Sequence, residues 1–410
     1  MFSKLIKIMQ LLKSLFNFSG NSSAPAIVYD ARYPFAYADE FSEGLATIEK
    51  DGKCGFIDQS GTIVIACEFD DAEFFNEGLA AVRKGKHWGH IDHSGKVVTP
   101  LIYDEVDFLM DGLAFVMQQG QYGCVDGTGT LVVTCQFDDA LSFDEGRAPV
   151  AKEGQYSYLD KSGKLLKDYQ FEDAEYFNEG RALVQQNGLY GYVDPNINLV
   201  IPCQFTAADP FQDGVAAVKK DGLWGVIDKQ GKLVMPYQFQ EPLFFSEGLA
   251  GIQEGQWQQN HSQQEHSQLQ QRRINSANKG DNVAGKWGYI NKSGRLVIPY
   301  QFEQVSIFSE GLAVVQLQGK AGYSNSTGKV VIPCQFDEGR PFKEGLAAVI
   351  MDGQTGFINQ AGALVVPPQS YYAEDFTEGM ALVMNEQGQF GYINTQGEFL
   401  HLQASERVEY

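Results

Sequence analysis

The 410-residue sequence has few of the residues that build most catalytic and metal sites. It contains six His and six Cys, and no two Cys form a C-x-x-C pair. It has no P-loop, no G-x-G-x-x-G after a predicted strand, no G-x-S-x-G and no H-E-x-x-H motif. We therefore predict no catalytic residues, no metal site and no cofactor.

Positive charge is also scarce. Asp and Glu total 52 against 31 Lys and Arg, which gives a formal net charge of -21. A surface this acidic repels phosphate backbones, and we therefore exclude nucleic acid as a partner.

The sequence also lacks a hydrophobic run long enough to span a bilayer. Residues 1–19 place apolar side chains at helical spacing, and Lys4, Lys7 and Lys13 interrupt them. This pattern predicts an amphipathic N-terminal helix. It fits a membrane-surface anchor, an irregular signal peptide, or a cap on the end of a repeat array. Residues 20–34 follow as a linker. We favour a cytoplasmic or peripheral membrane location over secretion.

Glycine and aromatic residues are abundant instead, and they recur with a period. The chain has 44 Gly, 28 Phe and 19 Tyr. An acidic residue followed by Gly returns ten times at a spacing of 34, interrupted once by 29 extra residues. Ala lies two residues after each of these Gly, and three residues before it stands Phe in nine units and Leu109 in the tenth. We expect these Phe to fill the core. The repeats cover residues 35–402, followed by a tail at 403–410. The Gln-rich insertion at 256–284 is predicted to be a disordered loop.

Each unit has the pattern of a β-meander. It contains three apolar strands joined by turns, then a ten-residue return whose apolar residues at intervals of three predict a 3₁₀-like turn. Asp or Asn ends the second strand in all ten units, and we assign this residue to turn formation rather than to acid catalysis or calcium binding. The predicted fold is all-β: a tandem array of ten ~34-residue β-meander repeats. We prefer an open superhelical solenoid because both termini look like plain ends, with a propeller-like ring as the alternative.

The repeat resembles a known family. The pattern G-K-W-G-Y-I-[DN]-x-x-G-x-x-V-I-P, followed by [YF]-[DE]-x-[AV]-x-x-F-x-[ED]-G-L-A, is similar to the WG (Trp-Gly) repeats of bacterial proteins. The similarity extends from Phe35 to about Leu400, although Cys54, Ala321 and Thr355 replace the aromatic residue and Ser157 replaces the Gly. The resemblance implies an all-β repeat array with a role in interaction and no shared catalytic motif.

The aromatic residues of the Trp-Gly pairs are the candidate binding residues. They recur in register and predict a ladder that could bind glycan or peptide, although we favour burial against the next unit. A cluster of His87, His90 and His93 is predicted to be solvated or locally hydrogen-bonded, because strand alternation sends His87 and His90 to opposite faces. The ladder comprises Trp88, Tyr122, Tyr156, Tyr190, Trp224 and Trp287.

These observations predict a non-catalytic scaffold that binds a protein partner and is held at a membrane surface by residues 1–19. Two alternatives remain open. The first is a cell-envelope glycan- or peptidoglycan-binding protein, which requires exposed ladder aromatics. The second is an enzyme whose site is assembled between repeats, which requires one unequal pocket of converging polar groups.

Overall fold

A computed structural model of the protein describes residues 31–255 and 285–402. The predicted helix at 1–19, the insertion at 256–284, the tail at 403–410 and most of the linker lie outside these ranges. The described residues from Arg32 onward form one compact unit.

This unit contains ten antiparallel sheets, one per repeat, which we call blades 1 to 10 in chain order. In a complete blade, four strands lie side by side in sequence order. The first strands are Tyr37–Ala38, Asp71–Asn76, Glu105–Val106, Asp139–Ala140, Asp173–Asn178, Ala207–Ala208, Gln304–Ser309, Glu338–Gly339 and Tyr372–Ala373. The second strands are Leu45–Lys50, Leu79–Lys84, Leu113–Gln118, Arg147–Lys152, Arg181–Gln186, Val215–Lys220, Leu249–Gln253, Leu312–Leu317, Leu346–Met351 and Met380–Met384.

The outer half of each blade continues the same antiparallel order. The third strands are Lys53–Asp58, His87–Asp92, Gln121–Asp126, Gln155–Asp160, Leu189–Val193, Leu223–Asp228, Trp287–Asn291, Lys320–Asn325, Gln354–Asn359 and Phe390–Asn394. The fourth strands are Ile63–Phe69, Val97–Tyr103, Leu131–Phe137, Leu199–Phe205, Leu233–Phe239, Leu296–Phe302, Val330–Phe336 and Leu364–Ser370.

The predicted return is a strand, which corrects both the three-stranded module and the 3₁₀-like turn. In blade 2, Ala72 pairs with Val82 and Phe75 pairs with Ala80, so the two residues between Ala72 and Phe75 oppose the single residue Ala81 on the second strand. This β-bulge brings residues three apart to the same buried side without a helical turn. Blade 7 has no first strand among its described residues, since Pro242 occupies the position of Ala72 and has no N–H to donate.

The core lies between blades. The Phe three residues before the Gly of each acidic-Gly pair, or Leu109 in blade 3, packs against the preceding blade, and we call these residues the plugs. Phe177 meets Tyr158 of the preceding blade at 5.3 Å between ring centroids. Five buried Tyr at the position of Tyr158 also donate their Oη–H to a main-chain oxygen of the next blade, as Tyr158 does to Glu175 O at 2.8 Å. One blade thus completes its neighbour's core, as the repeat pattern predicts.

The array closes into a propeller-like ring, which corrects our preference for an open solenoid. The outer strand of blade 10 is assembled from both ends of the array: Phe399 bridges Ile393, and Phe35 bridges Phe390. Tyr33, assigned to the linker, is buried in the ring and contacts Phe399 at 5.3 Å between ring centroids.

The interface between blades 10 and 1 repeats the contacts made elsewhere in the ring. Tyr392 packs on plug Phe41 at 4.9 Å and donates its Oη–H to Asp39 O at 2.7 Å. Ten buried clusters therefore serve ten interfaces. The sequence did not reveal this closure because the missing strand is divided between residues at opposite ends of the repeats.

Candidate functional site

The acidic-Gly turns link neighbouring blades through hydrogen bonds. Each acidic residue has a left-handed φ between 48° and 59°, and its carboxylate accepts a main-chain N–H from the equivalent turn of the next blade. Glu77, for example, accepts from Asp111 N at 2.9 Å and from Gly112 N at 2.6 Å. We call these acids the clamps: Glu43, Glu77, Asp111, Glu145, Glu179, Asp213, Glu247, Glu310, Glu344 and Glu378.

The clamps run in one direction and complete the circle. Glu378 of blade 10 accepts from Glu43 N at 2.7 Å and Gly44 N at 2.8 Å in blade 1. Lysine side chains from the following blade reinforce some of them, as Lys161 does with Asp111 at 2.8 Å. This hydrogen bond with Lys161 is the largest cause that holds the pKa of Asp111 below its usual value. The repeated acids at these turns therefore have a structural role.

The Asp or Asn that ends each third strand, or directly follows it in blade 5, forms the turn, as the sequence predicts. Asp58 Oδ1 accepts the N–H groups of Ser60 at 2.9 Å and Thr62 at 3.0 Å, and the other nine positions repeat this pattern. Asn conserves the acceptor oxygen, which explains why it can replace Asp in the last four blades.

The six ladder aromatics are half-buried, so the structure places them neither in the core nor fully in solvent. Trp287 begins its third strand, and the other five stand at the second position of theirs. Each lies opposite an aromatic residue of the outer edge: Trp224 pairs with Phe239 at the end of the fourth strand, and in blade 4 Tyr156 bridges Phe171. Two also lie close to cations on the second strand, with Arg83 5.7 Å from the Trp88 ring centroid and Lys219 5.7 Å from that of Trp224.

The tyrosines of the ladder point toward carboxylates of their own first strand. Tyr156 donates its Oη–H to Asp139 at 2.5 Å. Burial, followed by the nearby carboxylate of Glu105, raises the pKa of Tyr122 to about 12. These phenols are neutral donors near neutral pH. The ladder's role in binding is not tested by these contacts and remains a prediction.

The three clustered histidines lie in separate environments. His87 is exposed, and His93 stacks on Phe75 and contacts the Glu43 carboxylate at 3.2 Å. His90 is buried at the position that Tyr158 occupies in blade 4, with Nε2 2.8 Å from Asp107 O and Nδ1 3.0 Å from Thr99 Oγ1. Burial lowers the pKa of His90. Its neutral ring can donate to the carbonyl and accept from the hydroxyl.

The two residues before each plug form the inner wall of the ring. The first strand packs against the second and third strands of the preceding blade, so blades converge at this edge. Inner-wall residues of neighbouring blades consequently touch: Phe74 and Phe108 lie 5.3 Å apart between ring centroids, and Ser142 Oγ donates to the Asp107 carboxylate at 2.5 Å.

The inner wall differs in chemistry from blade to blade. Its twenty residues include eight acids and one base, Arg340, whose guanidinium lies 3.5 Å from the Glu374 carboxylate. Burial raises the pKa of the carboxyls of Asp107 and Asp209. The full set is Asp39, Glu40, Glu73, Phe74, Asp107, Phe108, Leu141, Ser142, Glu175, Tyr176, Asp209, Pro210, Leu243, Phe244, Ser306, Ile307, Arg340, Pro341, Glu374 and Asp375.

Two apolar inner-wall side chains on neighbouring blades are unusually exposed. Phe244 of blade 7 is 54% exposed, and Ile307 of blade 8 is 49% exposed. Sequence reasoning missed the inner wall because it assigned these residues to a connecting turn. The available signal was the variation at these two positions between otherwise similar repeats.

Within residues 31–255 and 285–402, no group of three or more His, Cys, Asp and Glu residues is arranged to hold a metal ion. The same residues include no helix of the length and apolarity needed to cross a membrane.

Comparisons with solved structures give only distant similarity. The chain is similar to a eukaryotic initiation factor, with 11% identity, 87% of this chain and 95% of that one covered, and a TM-score of 0.46. It is similar to Hsv2 of Kluyvelomyces marxianus, with 6% identity, 73% and 98% coverage, and a TM-score of 0.32. It is also similar to PorZ of Porphyromonas gingivalis, a surface component of its type-IX secretion system, with 11% identity, 90% of this chain and 57% of that one covered, and a TM-score of 0.24. These scores support no structural or functional conclusion.

No curated protein matches the chain. The family profile described as "WG containing repeat" matches ten segments, at residues 27–54, 55–87, 88–122, 122–156, 156–190, 190–224, 224–256, 287–320, 322–354 and 356–387. These segments cover well over half of the sequence and follow the repeat period of the blades. The chain therefore belongs to the WG-repeat family.

Proposed function

We propose that this WG-repeat ring is a non-catalytic scaffold that binds a protein partner. The proposal rests on the difference between the constant and the variable positions of the repeat. Clamps, turn residues and plugs recur in all ten blades and hold the ring together, whereas the inner-wall chemistry changes from blade to blade. Variation on a constant frame gives a surface that can distinguish one partner from another.

A glycan-binding role is the second candidate, and the half-exposure of the ladder aromatics favours it. Sugar rings pack on exposed aromatic faces, and Trp88, Trp224 and Trp287 each keep part of their surface in solvent. The cations beside Trp88 and Trp224 occupy part of that space, so we rank this candidate below the protein scaffold.

The test is to express the tagged full chain in its native cells, cross-link it there, and purify the complexes. Under the scaffold proposal, a defined protein is recovered in a constant ratio to the ring. In parallel, the purified ring is sedimented with isolated cell-wall glycan. Co-sedimentation that is lost in Trp224→Ala, with no cross-linked protein, would replace the scaffold with the glycan binder.

We also propose that residues 1–19 hold the ring at a membrane surface. Their basic, amphipathic sequence supports this role. Cell fractionation of the full chain and of a chain lacking residues 1–19 tests it: the full chain is expected in the membrane fraction and the shortened chain outside it. Equal distribution of the two would refute the anchor.

A further inference from the structure

Four consecutive blades carry an apolar residue at the inner-wall position directly before the plug. These residues, in blades 6 to 9, are Pro210, Phe244, Ile307 and Pro341. We call them the apolar arc. Pro210, Phe244 and Ile307 are exposed, and Pro341 is half-buried.

Ring stability does not require apolar residues here. The equivalent position holds Ser142 in blade 4, Asp375 in blade 10 and Glu40 in blade 1, and these blades keep their plugs and clamps. In blades 2 and 3, Phe74 and Phe108 cover each other. Phe244 and Ile307 instead leave about half of their surface in water, which is a feature of interaction sites.

The charge around the wall specifies the kind of partner. Acids outnumber bases eight to one on the inner wall as a whole. Within blades 6 to 9 the charged wall residues are Asp209 and Arg340, and Arg340 lies beside Glu374 of blade 10. Glu241 and Glu338 are exposed three residues before Phe244 and Pro341, and they add two further negative charges. A segment rich in lysine or arginine is complementary to this field, whereas an acidic segment is repelled.

The spacing of the wall suits an extended chain. Neighbouring inner-wall rings lie as close as 5.3 Å, between the Phe74 and Phe108 centroids. Alternate side chains of an extended strand are ~6.6 Å apart, so a segment running around the wall can present every second side chain to successive blades.

We propose that the apolar arc binds an extended segment of a partner protein in which a large apolar side chain is flanked by lysine or arginine. This inference rests on the proposed scaffold function and names the surface and the chemistry of the partner. The segment's apolar side chain packs on Phe244 and Ile307, and its cations face Glu241, Glu338 and the wall acids of the blades that flank the arc.

The test uses the purified full chain and a displayed library of random short peptides. Selection on the wild-type ring is expected to enrich peptides that combine Lys or Arg with Phe, Leu or Ile. The affinity of one enriched peptide is then measured by fluorescence anisotropy. Phe244→Ser and Ile307→Ser are each expected to weaken it about tenfold or more, because about 1.4 kcal/mol of apolar contact is lost. Affinity should also fall as salt is raised from about 0.05 to 0.5 M.

Ile102 provides a matched control. It is 50% exposed on the fourth strand of blade 2, away from the arc, so Ile102→Ser removes the same side chain at the same exposure. Unchanged affinity in Ile102→Ser supports the proposal. Enrichment of acidic peptides, no enrichment, or equal losses in Ile102→Ser and Ile307→Ser would overturn it. A cross-linked native partner that is retained by both arc variants would overturn the location alone and leave the scaffold function standing.

Discussion

The absence of a Cβ atom at the Gly of the Trp-Gly pair determines how closely the fourth strand approaches the third. A Cβ built on Gly191 would lie 2.6 Å from Ile201 O and 2.7 Å from Cys203 N, and the equivalent Gly of other blades are similarly crowded. Ser157 occupies this position in blade 4, where isolated bridges replace the regular fourth strand. Its hydroxyl donates to Lys167 O at 2.7 Å. The Gly of the Trp-Gly pair therefore allows the fourth strand to approach.

We expect Gly191→Ser to destabilise the ring by about 2–3 kcal/mol, because the new Cβ must displace the outer strand of blade 5. Thermal unfolding measures the loss. The matched control is Ser157→Ala, where the strand has already moved and only one hydrogen bond, about 1 kcal/mol, is removed. A Gly191→Ser protein as stable as the wild type would show that the outer strand tolerates the displacement.

His90 makes stability depend on pH. Unfolded, its imidazole takes up a proton near pH 6.5, whereas burial lowers its pKa in the folded ring. Below pH 6.5 the unfolded chain therefore binds more protons, and the contribution of neutral His90 is lost as pH falls toward the folded pKa. We expect the free energy of unfolding to fall by up to about 1.4 kcal/mol per pH unit in this window.

The double variant His90→Tyr, Thr99→Ile is the control, since it reproduces the Tyr192 and Ile201 pair of blade 5. It should remove the part of the slope that belongs to His90, because the Tyr hydroxyl can donate to Asp107 O without titrating. Denaturant unfolding between pH 5 and 7 tests this. Identical slopes in both proteins would mean that other groups cause the dependence.

At the scale of elements, each plug connects two blades. Phe177 is fully buried against Tyr158, and the Arg147 guanidinium lies 5.4 Å from its ring centroid. We expect Phe177→Ala to cost about 3–5 kcal/mol in denaturant unfolding, because it leaves a cavity between blades 4 and 5. Phe244→Ala, at an exposed position, should cost much less. Similar losses in both variants would contradict the assignment of the core to the space between blades.

Proline protects the outer edges of the blades. Pro100, Pro202, Pro236, Pro299, Pro333 and Pro367 are exposed on fourth strands, where a missing N–H prevents pairing with another sheet. We expect the double variant Pro202→Val, Pro299→Val to self-associate, because it adds two outward N–H groups. Sedimentation velocity would show larger species, and Pro210→Val, on the inner wall, serves as the control. A monodisperse double variant would show that proline is dispensable at these edges.

The sequence predicted the elements whose residue patterns lie within a single repeat. Apolar alternation and turn residues located the second, third and fourth strands, and the change from Asp58 to Asn291 at one position identified a turn former. The first strand escaped detection because a bulge gives Ala72 and Phe75 a spacing of three, which also fits a single helical turn. The clamp bonds escaped because donor and acceptor lie a full repeat apart.

At the scale of the whole molecule, the chain ends meet within one strand. Phe35 and Phe399 both pair with the third strand of blade 10, and Tyr33 packs on Phe399. Local patterns could not predict this, because the two pieces are separated by almost the entire sequence and neither is a complete strand.

Closure makes the choice of chain ends arbitrary. A circular permutant that joins residue 402 to residue 31 through a short linker, with new ends between Tyr103 and Glu105, should fold with nearly wild-type stability. Deleting residues 32–36 should instead lower the unfolding temperature by several degrees or more, because blade 10 loses part of its outer strand and its contact with Phe399. Calorimetry compares the proteins. Full stability in the deletion variant would argue that the ring does not depend on this strand.

The one-way circuit of clamps limits how such a molecule can change in size. The carboxylate of each blade accepts N–H groups of the next blade, and its own turn donates to the carboxylate of the preceding blade. Inserting or removing an entire 34-residue unit therefore leaves every clamp paired and alters only the curvature of the ring. A fraction of a unit would break the circuit at one point. Rings of this kind should therefore gain or lose whole repeats during evolution.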